Sequence, residues 1–399
     1  MSDRLMISTD LSGQPGTAPI PHEAVAVTGA TGLLGSHLLA RLLRTTGTHA
    51  VALVRDDPAV ATRRLHTALE ATGEPLPDGW HRRVVPLRVT LHRPRLGLGD
   101  ADYRALAAAT TEIWHCAASV RLNAPARALE ATNVDGTRAV LELAADAPRG
   151  PRVQHISTAY VAGARRHGRV AEDTLEAPDG FLTGYEETKF RAERLVRRFA
   201  EEGRGRATVF RPSVLVDHRP PAPGAPHTPA TVLAAKLARL SARRDSPLAR
   251  RAGFAAPGLT EVRLPGDPEA HMNVLPVQYA ADAIIRIART AGPADAPAGA
   301  PCYHIVHPRP TRVVDALEAL VHHAPWLRVR LDPALTEPQG PLAELVSRVS
   351  EGVAAYVRLR RTYDRTRAAA ALAGLPDPAV LDARYLRACF TPPAVPYRA

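Results

Sequence analysis

A tyrosine and a lysine stand four residues apart in the segment Tyr185-Glu186-Glu187-Thr188-Lys189. On a helix this spacing places a phenol and an ammonium group on one face. The nearby positive charge would lower the pKa of the phenol, so that it can exchange a proton with a carbonyl or alkoxide oxygen. With nine tyrosines and only two lysines in the chain, about 0.05 such pairs are expected by chance. The alternative is an exposed helical pair without a chemical role.

A second hydroxyl-bearing segment precedes this pair by a few tens of residues. The sequence Ile156-Ser157-Thr158-Ala159-Tyr160-Val161-Ala162-Gly163 reads as the end of a strand followed by hydroxyl side chains. A hydroxyl there can hold a substrate oxygen beside the phenol. Together the two segments predict chemistry at a carbon–oxygen bond.

A glycine-rich segment, Thr28-Gly29-Ala30-Thr31-Gly32-Leu33-Leu34-Gly35, joins the first predicted strand to the first helix. Backbone amides and a helix N-terminus at such a turn can face a pyrophosphate, and side chains would block its approach. The alternative is a tight turn without a ligand. The predicted cofactor-binding residues of this segment are Gly29, Thr31, Gly32, Leu33, Leu34 and Gly35.

The residue that ends the second strand discriminates between dinucleotides, because an acid accepts the ribose 2′-hydroxyl whereas an arginine pairs with a 2′-phosphate. That residue is Arg55. Arg64, one or two turns into the next helix, would add a second guanidinium. The sequence therefore favours NADPH over NADH.

Predicted strands, among them Ala24–Thr28, Ala50–Val54 and Arg152–Ser157, alternate with predicted helices such as Ala124–Ala145 along the first half of the chain. This alternation predicts an α/β fold of the Rossmann type. We expect a doubly wound parallel sheet and a smaller, mostly helical C-terminal lobe for substrate. The predicted regions are a mobile leader (1–21), an NADP-binding domain carrying the catalytic residues (22–217) and the C-terminal lobe (218–399), part of which returns to the Rossmann core. The proline-rich stretch His218–Pro229 is predicted to be a loop.

The composition is typical of a folded protein, with 399 residues, 45% hydrophobic and 23% charged. A net charge of +11 raises the question of a polyanionic partner. The arginines are dispersed, however, and aromatic residues make up only 5%, so the stacking surface of a nucleic-acid binder is not expected.

Several other classes of protein, namely secreted, metal-binding and membrane-spanning proteins, are disfavoured by simple features of the sequence. Three scattered cysteines indicate a reducing compartment, and the histidines lack metal-ligand spacing, so no metal is expected. The N-terminus has no apolar signal region, and no run of apolar residues is long enough for a membrane span. The expected location is the cytoplasm.

These motifs, in this order, resemble the extended short-chain dehydrogenase/reductases. Further segments carry the same resemblance: His115-Cys116-Ala117-Ala118, Asn133-Val134-Asp135-Gly136-Thr137 and Arg211-Pro212-Ser213. Within that superfamily the chain is most similar to thioester reductases, that is, fatty acyl-CoA reductases and the terminal reductase domains of carboxylic acid reductases and peptide synthetases. The segments that carry this narrower resemblance are LVRDDPA after the second strand, Arg95–Leu98, Leu264–Val277 and the tail segments Tyr363–Arg367 and Pro376–Leu386.

The resemblance implies a role for each matching residue. Thr158, rather than Ser157, is the catalytic hydroxyl, Tyr185 donates the proton, and Lys189 lowers the tyrosine pKa and holds the nicotinamide ribose. Asn133 either supports a proton-relay water or is purely structural. The remaining implied contacts are Ala117 and Ala118 with the adenosine half and Pro212 and Ser213 with the nicotinamide carboxamide. Arg88 stands where the family usually has an aspartate that contacts adenine, which leaves the adenine contact open.

The implied activity is NADPH-dependent reduction of an acyl thioester, bound to a carrier protein or to coenzyme A, to an aldehyde. A second hydride would give the alcohol. The resemblance also implies a role in secondary metabolism and a monomer or homodimer. The alternatives are another extended family member (a ketoreductase, a 3β-hydroxysteroid-type dehydrogenase or a nucleotide-sugar epimerase/dehydratase) and a non-catalytic protein that senses a dinucleotide.

Overall fold

The structure is a computed structural model that describes residues 19–243, 258–290, 299–350 and 353–393. Its centre is a seven-stranded sheet with the strand order β3-β2-β1-β4-β5-β7-β12, in which every neighbouring pair is parallel. The strands of this sheet are β1 (Ala24–Thr28), β2 (His49–Val54), β3 (Val84–Arg88), β4 (Thr110–His115), β5 (Arg152–Ile156), β7 (Arg206–Pro212) and β12 (Cys302–Ile305). The predicted Rossmann-type fold is confirmed.

Helices cover both faces of the sheet, as parallel strands require. They are α1 (Leu33–Thr45), α2 (Pro58–Glu70), α3 (Asp100–Ala109), α4 (Ala126–Glu130), α5 (Gly136–Asp146) and α6 (Gly184–Glu201). The predicted helix over 124–145 is interrupted by a π-helical turn, Ala131–Asp135, which contains Asn133.

The remaining elements follow residue 212, except for one short strand that precedes α6. The strands are the short β6 (Arg169–Val170), which precedes α6, and then β8 (Val214–Val216), β9 (Thr260–Pro265), β10 (His271–Met272), β11 (Val274–Pro276), β13 (Thr311–Arg312), β14 (Leu327–Asp332) and β15 (Thr362–Tyr363). The helices are α7 (Pro229–Arg243), α8 (Val277–Thr290), α9 (Val313–Val321), α10 (Pro341–Val349), α11 (Thr366–Ala371) and α12 (Ala383–Cys389). These strands pair two by two.

Three apolar clusters hold these layers together. On one face of the sheet, α1 packs with α8, through side chains such as Leu38 and Ile284. On the other face α3, α5 and α6 pack against the sheet around Leu106, Leu143 and Phe199. The third cluster lies among α7, β9, α9, α10 and α12. Because β12 and α8 belong to the main sheet and its helical layer, chain beyond residue 217 completes the Rossmann core.

Candidate active site

The glycine-rich turn lies between β1 and α1, and its glycines are required by close backbone contacts. Gly29 has a positive φ of 69°, and a Cβ there would stand 2.7 Å from the amide nitrogen of Ala117. A Cβ on Gly35 would stand 2.1 Å from the Gly29 carbonyl oxygen. Helix α1 has no acidic residue in its first turn, so its N-terminal amides offer a positive site for a pyrophosphate.

Three arginines gather where β2 and β3 end. Arg55 is exposed and, among the described residues, has no hydrogen-bond or ion-pair partner. Arg64 pairs with Asp56, and Arg88, which is in register with Val54 at the end of β2, pairs with Asp57 at 2.5 Å. The side chain with the least competition for a phosphate is therefore Arg55.

Thr158 and Tyr185 approach each other from two different elements. Thr158 follows β5 and accepts a hydrogen bond from the Tyr160 amide at 3.3 Å, which begins a 3₁₀ turn. Tyr185 is in the first turn of α6, which Thr183 caps by accepting a hydrogen bond from the Glu186 amide. The Thr158 hydroxyl donates to the Pro212 carbonyl oxygen at 3.5 Å and lies near enough to the Tyr185 phenol to lower its pKa. This pair of hydroxyls can hold a substrate oxygen.

Burial raises the pKa of Tyr185 to about 12; the Glu186 charge also raises it, and the Thr158 hydroxyl lowers it. The expected lowering of the Tyr185 pKa by Lys189 is therefore outweighed by burial. Lys189 lies one turn further along α6, is buried, and donates a hydrogen bond to the Ile156 carbonyl oxygen at 2.7 Å. Burial lowers the pKa of Lys189 to about 8, although Glu193 and Cys116 favour its charged form.

A buried ion pair joins the middle of α6 to β7. The Arg211 guanidinium donates to both carboxylate oxygens of Glu193, at 2.7 and 3.0 Å, and both side chains are fully buried. Ser157 donates to the same carboxylate at 2.7 Å. Because Ser157 is held there, Thr158 is the hydroxyl that remains beside Tyr185. The sequence analysis noted Arg211 only as part of a motif and did not single out Glu193.

Asn133 bridges the loop after β4 to α6. Its side-chain oxygen accepts from the Ser119 amide at 2.7 Å, and its amide donates to the Ser119 carbonyl at 3.0 Å and to the Thr188 hydroxyl at 2.9 Å. These contacts give Asn133 a structural role. The alternative role in a proton relay stays a prediction.

His115 ties β4 to the glycine-rich turn and to α5. Its ring nitrogens bond the Thr28 hydroxyl at 2.8 Å and the Thr137 hydroxyl at 2.9 Å. The same Thr28 hydroxyl accepts a hydrogen bond from the amide of Ala117. Ala117 and Ala118 are both partly exposed beside the glycine turn, where a bound dinucleotide would pass.

Pro212 ends β7, and Ser213 follows it next to β12, with its amide donating to the Ile305 carbonyl at 3.1 Å. The Ser213 hydroxyl is buried and has no hydrogen-bond partner within the described part of the chain. An unpartnered buried hydroxyl is costly unless a ligand satisfies it. Its place suits the predicted contact with a carboxamide.

A cavity of about 210 Å³ lies between the start of α1 and the loop 218–229. Leu33 and His37 of α1 and Arg219 of the loop contribute to its walls. Burial and the Arg41 charge lower the pKa of His37 to about 4, so this side chain is neutral. The predicted loop thus packs against the helix that follows the glycine-rich turn.

The residues along the carboxyl ends of the strands fit a dinucleotide. The glycine cradle leaves room for a pyrophosphate, Arg55 is free for a ribose phosphate, and Ser213 offers an unpartnered hydroxyl. Among the described residues no group of three or more histidine, cysteine or acidic side chains could hold a metal. No helix in the described ranges combines the length and apolarity needed to cross a membrane.

The family described as "Male sterility protein", an NAD-binding family, matches residues 27–284, which include the glycine-rich turn, Thr158, Tyr185 and Lys189. The chain belongs to this family. Its expected resemblance to thioester reductases is confirmed by the comparisons that follow.

The isonitrile lipopeptide synthase of Streptomyces coeruleorubidus is 37% identical over 193 residues, which is 48% of this chain and 13% of that protein. The chain thus matches only about an eighth of the length of that relative. Among solved structures, the terminal R domain of the myxalamid PKS-NRPS pathway has a TM-score of 0.67 and 26% identity, over 92% of this chain and 89% of that one. The reductase domain of a nonribosomal peptide synthetase from Mycobacterium tuberculosis has a TM-score of 0.66 and 22% identity, over 94% and 92% of the two chains, and shows the shared fold.

Proposed function

We propose that the chain is an NADPH-dependent reductase that converts an acyl thioester, carried by a carrier protein or by coenzyme A, into an aldehyde. The observation that carries this proposal is the convergence of Thr158, Tyr185 and Lys189 at the carboxyl end of β5, beside a cradle suited to a dinucleotide. Similarity to reductase domains of carrier-protein-linked synthetases supports the substrate class.

In this proposal NADPH, when bound, supplies the hydride that reduces the thioester carbonyl. The hydroxyls of Thr158 and Tyr185 hold the carbonyl oxygen and stabilise the negative charge that develops on it. Tyr185 then donates its proton to that oxygen; its raised pKa keeps the phenol protonated before the reaction.

Lys189 supports this proton transfer through its positive charge. Its ammonium group lies one helical turn after Tyr185 and is fixed by the Ile156 carbonyl, and a positive charge there favours the phenolate that remains after proton transfer. The same ammonium group is the expected contact for the nicotinamide ribose. Collapse of the reduced thioester then releases the aldehyde and a free thiol.

Mixing the protein with NADPH and octanoyl-CoA tests the proposal through the loss of NADPH absorbance and the appearance of octanal. Tyr185→Phe should retain NADPH binding and lose at least about a hundredfold in turnover, the contribution typical of a general acid. Absence of turnover with several acyl thioesters, including carrier-bound ones, would contradict the proposal. NAD found tightly bound to the purified protein would favour the epimerase alternative instead.

A further inference from the structure

A buried polar cluster lies directly behind Tyr185, and none of the chemistry described above uses it. Glu186, the neighbour of Tyr185 on α6, has no exposed surface, and Arg361, just before β15, is 3% exposed. We call these two residues together with Tyr160, Tyr356 and Tyr363 the Arg361 cluster. It joins the C-terminal part of the chain to the catalytic loop.

Arg361 holds the loop that begins at Thr158. One guanidinium nitrogen, Nη1, donates to the carbonyl oxygens of Gly163 and Arg165, the latter at 3.1 Å. The Nε atom donates to the Tyr363 hydroxyl at 2.9 Å. The guanidinium carbon also lies 5.4 Å from the centre of the Tyr160 ring, within the range of a cation–π contact.

Backbone hydrogen bonds bring Arg361 to this position. β15 pairs with β6 in parallel, and the amides of Arg360 and Thr362 donate to the carbonyls of Arg166 and Gly168 at 2.7 and 2.9 Å. The segment around Arg361 is thereby fixed alongside residues 166–170. Its side chain points inward while that of Arg360 points outward to Asp267.

Glu186 faces the same interior. Its Oε2 atom accepts a hydrogen bond from the Leu182 amide at 2.8 Å. Its Oε1 atom and the Nη2 atom of Arg361 are both buried without a hydrogen-bond partner among the described residues. The two side chains make no direct ion pair in the part of the chain that the structure describes, and their opposite charges interact without a hydrogen bond between them.

Burial raises the pKa of Glu186, and the Arg361 charge opposes that rise. The backbone amides of Leu182 and Thr183 and the Tyr356 hydroxyl also lower it, and the Leu182 amide does so more than Arg361. The phenols of Tyr160 and Tyr363 face the same carboxylate. Arg361 is the positive charge of the cluster, and together with the Leu182 amide it favours the ionised form of Glu186. Removing it would leave a buried carboxylate that takes up a proton or turns towards water.

We propose that Arg361 is a positioning residue for Tyr185, which holds the loop carrying Thr158 and compensates the charge of Glu186 at the start of α6. This inference rests on the proposed role of Tyr185 as proton donor. A charge on Glu186 raises the pKa of Tyr185, and without Arg361 that charge would be left uncompensated next to the phenol. Compensation by Arg361 allows this charge to remain next to the phenol.

The test is a double-mutant cycle with Arg361→Met and Glu186→Gln, assayed with octanoyl-CoA and NADPH. Arg361→Met should lower kcat by about ten- to a hundredfold, with the KM for NADPH within about twofold of the wild-type value. Adding Glu186→Gln should restore at least about tenfold, because no buried charge is left uncompensated. Arg361→Lys should rescue part of the loss, since it keeps the charge. Arg360→Gln, which removes an exposed arginine, is the matched control and should leave kcat unchanged.

Thermal melting provides a readout that is independent of turnover. In Arg361→Met, the pKa of Glu186 in the folded state rises further above its unfolded value, so the melting temperature should fall as the pH rises from about 5 to about 8. The fall should be steeper than in the wild-type protein and absent from the Arg361→Met/Glu186→Gln double variant.

The inference would be overturned if the effects of the two substitutions on kcat simply multiply in the double variant. It would also be overturned if the melting temperatures of the single and double variants depend equally on pH. A wild-type protein that does not reduce thioesters would instead overturn the proposed function. In that case the melting comparison still decides whether Arg361 compensates Glu186.

Discussion

Replacement of Arg55 by serine should weaken NADPH far more than NADH. Arg55 ends β2, is exposed, and has no ion-pair partner among the described residues. A hydrogen bond to a charged group contributes about 1.5–3 kcal/mol, and each 1.4 kcal/mol is a factor of ten in affinity. The KM for NADPH should therefore rise by about ten- to a hundredfold, while the KM for NADH should change by less than about twofold.

The neighbouring arginines allow the effect of replacing Arg55 to be compared with that of replacing an arginine that is already paired. Arg64 already pairs with Asp56 and Arg88 with Asp57. A phosphate would have to compete with these carboxylates, so Arg64→Ser should raise the KM for NADPH by only about two- to fivefold. The order of effects, with Arg55 above Arg64, follows from which guanidinium is free.

The assay is the initial rate of cofactor oxidation at saturating octanoyl-CoA, with either NADPH or NADH varied. Arg63→Ser is the matched control, because Arg63 is an exposed arginine on the same helix as Arg64. Its replacement removes one charge that does not lie at the end of β2. Raising the salt concentration should reduce the difference between wild type and Arg55→Ser, as expected for an exposed charge. Equal losses with both cofactors, or an equal loss in Arg63→Ser, would refute the role of Arg55.

The remaining predictions concern Lys189, the glycine cradle and the buried ion pair. Because the pKa of Lys189 is about 8, its positive charge is lost above that pH, so kcat/KM for reduction should be constant below that pH and fall above it. A value of kcat/KM that stays constant up to about pH 10 would contradict this prediction. Since that pKa lies below the unfolded value, the unfolded chain binds more protons above pH 8, and Lys189 adds stability as the pH rises. Gly35→Ala places a Cβ 2.1 Å from a backbone oxygen and should abolish NADPH binding measured by fluorescence titration, whereas Gly47→Ala meets no atom within 4 Å and should not. Glu193→Gln strands a buried guanidinium and should cost about 3–5 kcal/mol of unfolding free energy in urea, against less than about 1 kcal/mol for the exposed Asp135→Asn.

Local pattern was sufficient to predict the central sheet. The predicted strand Ala24–Thr28 has the observed bounds, and the predicted strands Ala50–Val54 and Arg152–Ser157 each differ from the structure by a single residue at one end. The strands β1 and β2 are buried on both faces, so their sequences are nearly continuous apolar runs. The strand β5, with the sequence RVQHI, also buries polar side chains. The strand β14, with the sequence LRVRLD, was missed although its alternation of apolar and charged residues is typical of a half-buried strand, because this part of the chain was predicted to be mostly helical.

The motif residues were also within reach of the sequence, because their spacing is local. Tyr185 and Lys189 lie on one helix, and the glycines lie in one turn, so each group is placed by the element that contains it. The predicted contact of Thr158 with Tyr185 joins two elements, and it was available only through the order of motifs along the chain. The structure brings these hydroxyls together.

The buried charged side chains that pack around the motif residues could not be predicted from local spacing. In the sequence, Glu186 and Glu193 look like the solvent-facing residues of a long charged helix, yet both are fully buried. What buries them is distant in the chain: Arg211 comes from β7 for Glu193, and Arg361 comes from the C-terminal segment for Glu186. A buried carboxylate is stable only where a cation or several donors compensate it, so neither glutamate can be interpreted without its partner. The chemistry proposed for Tyr185 therefore depends on charges that only the folded chain assembles, and in this proposal the C-terminal segment contributes to the catalytic site as well as to the wall of the substrate site.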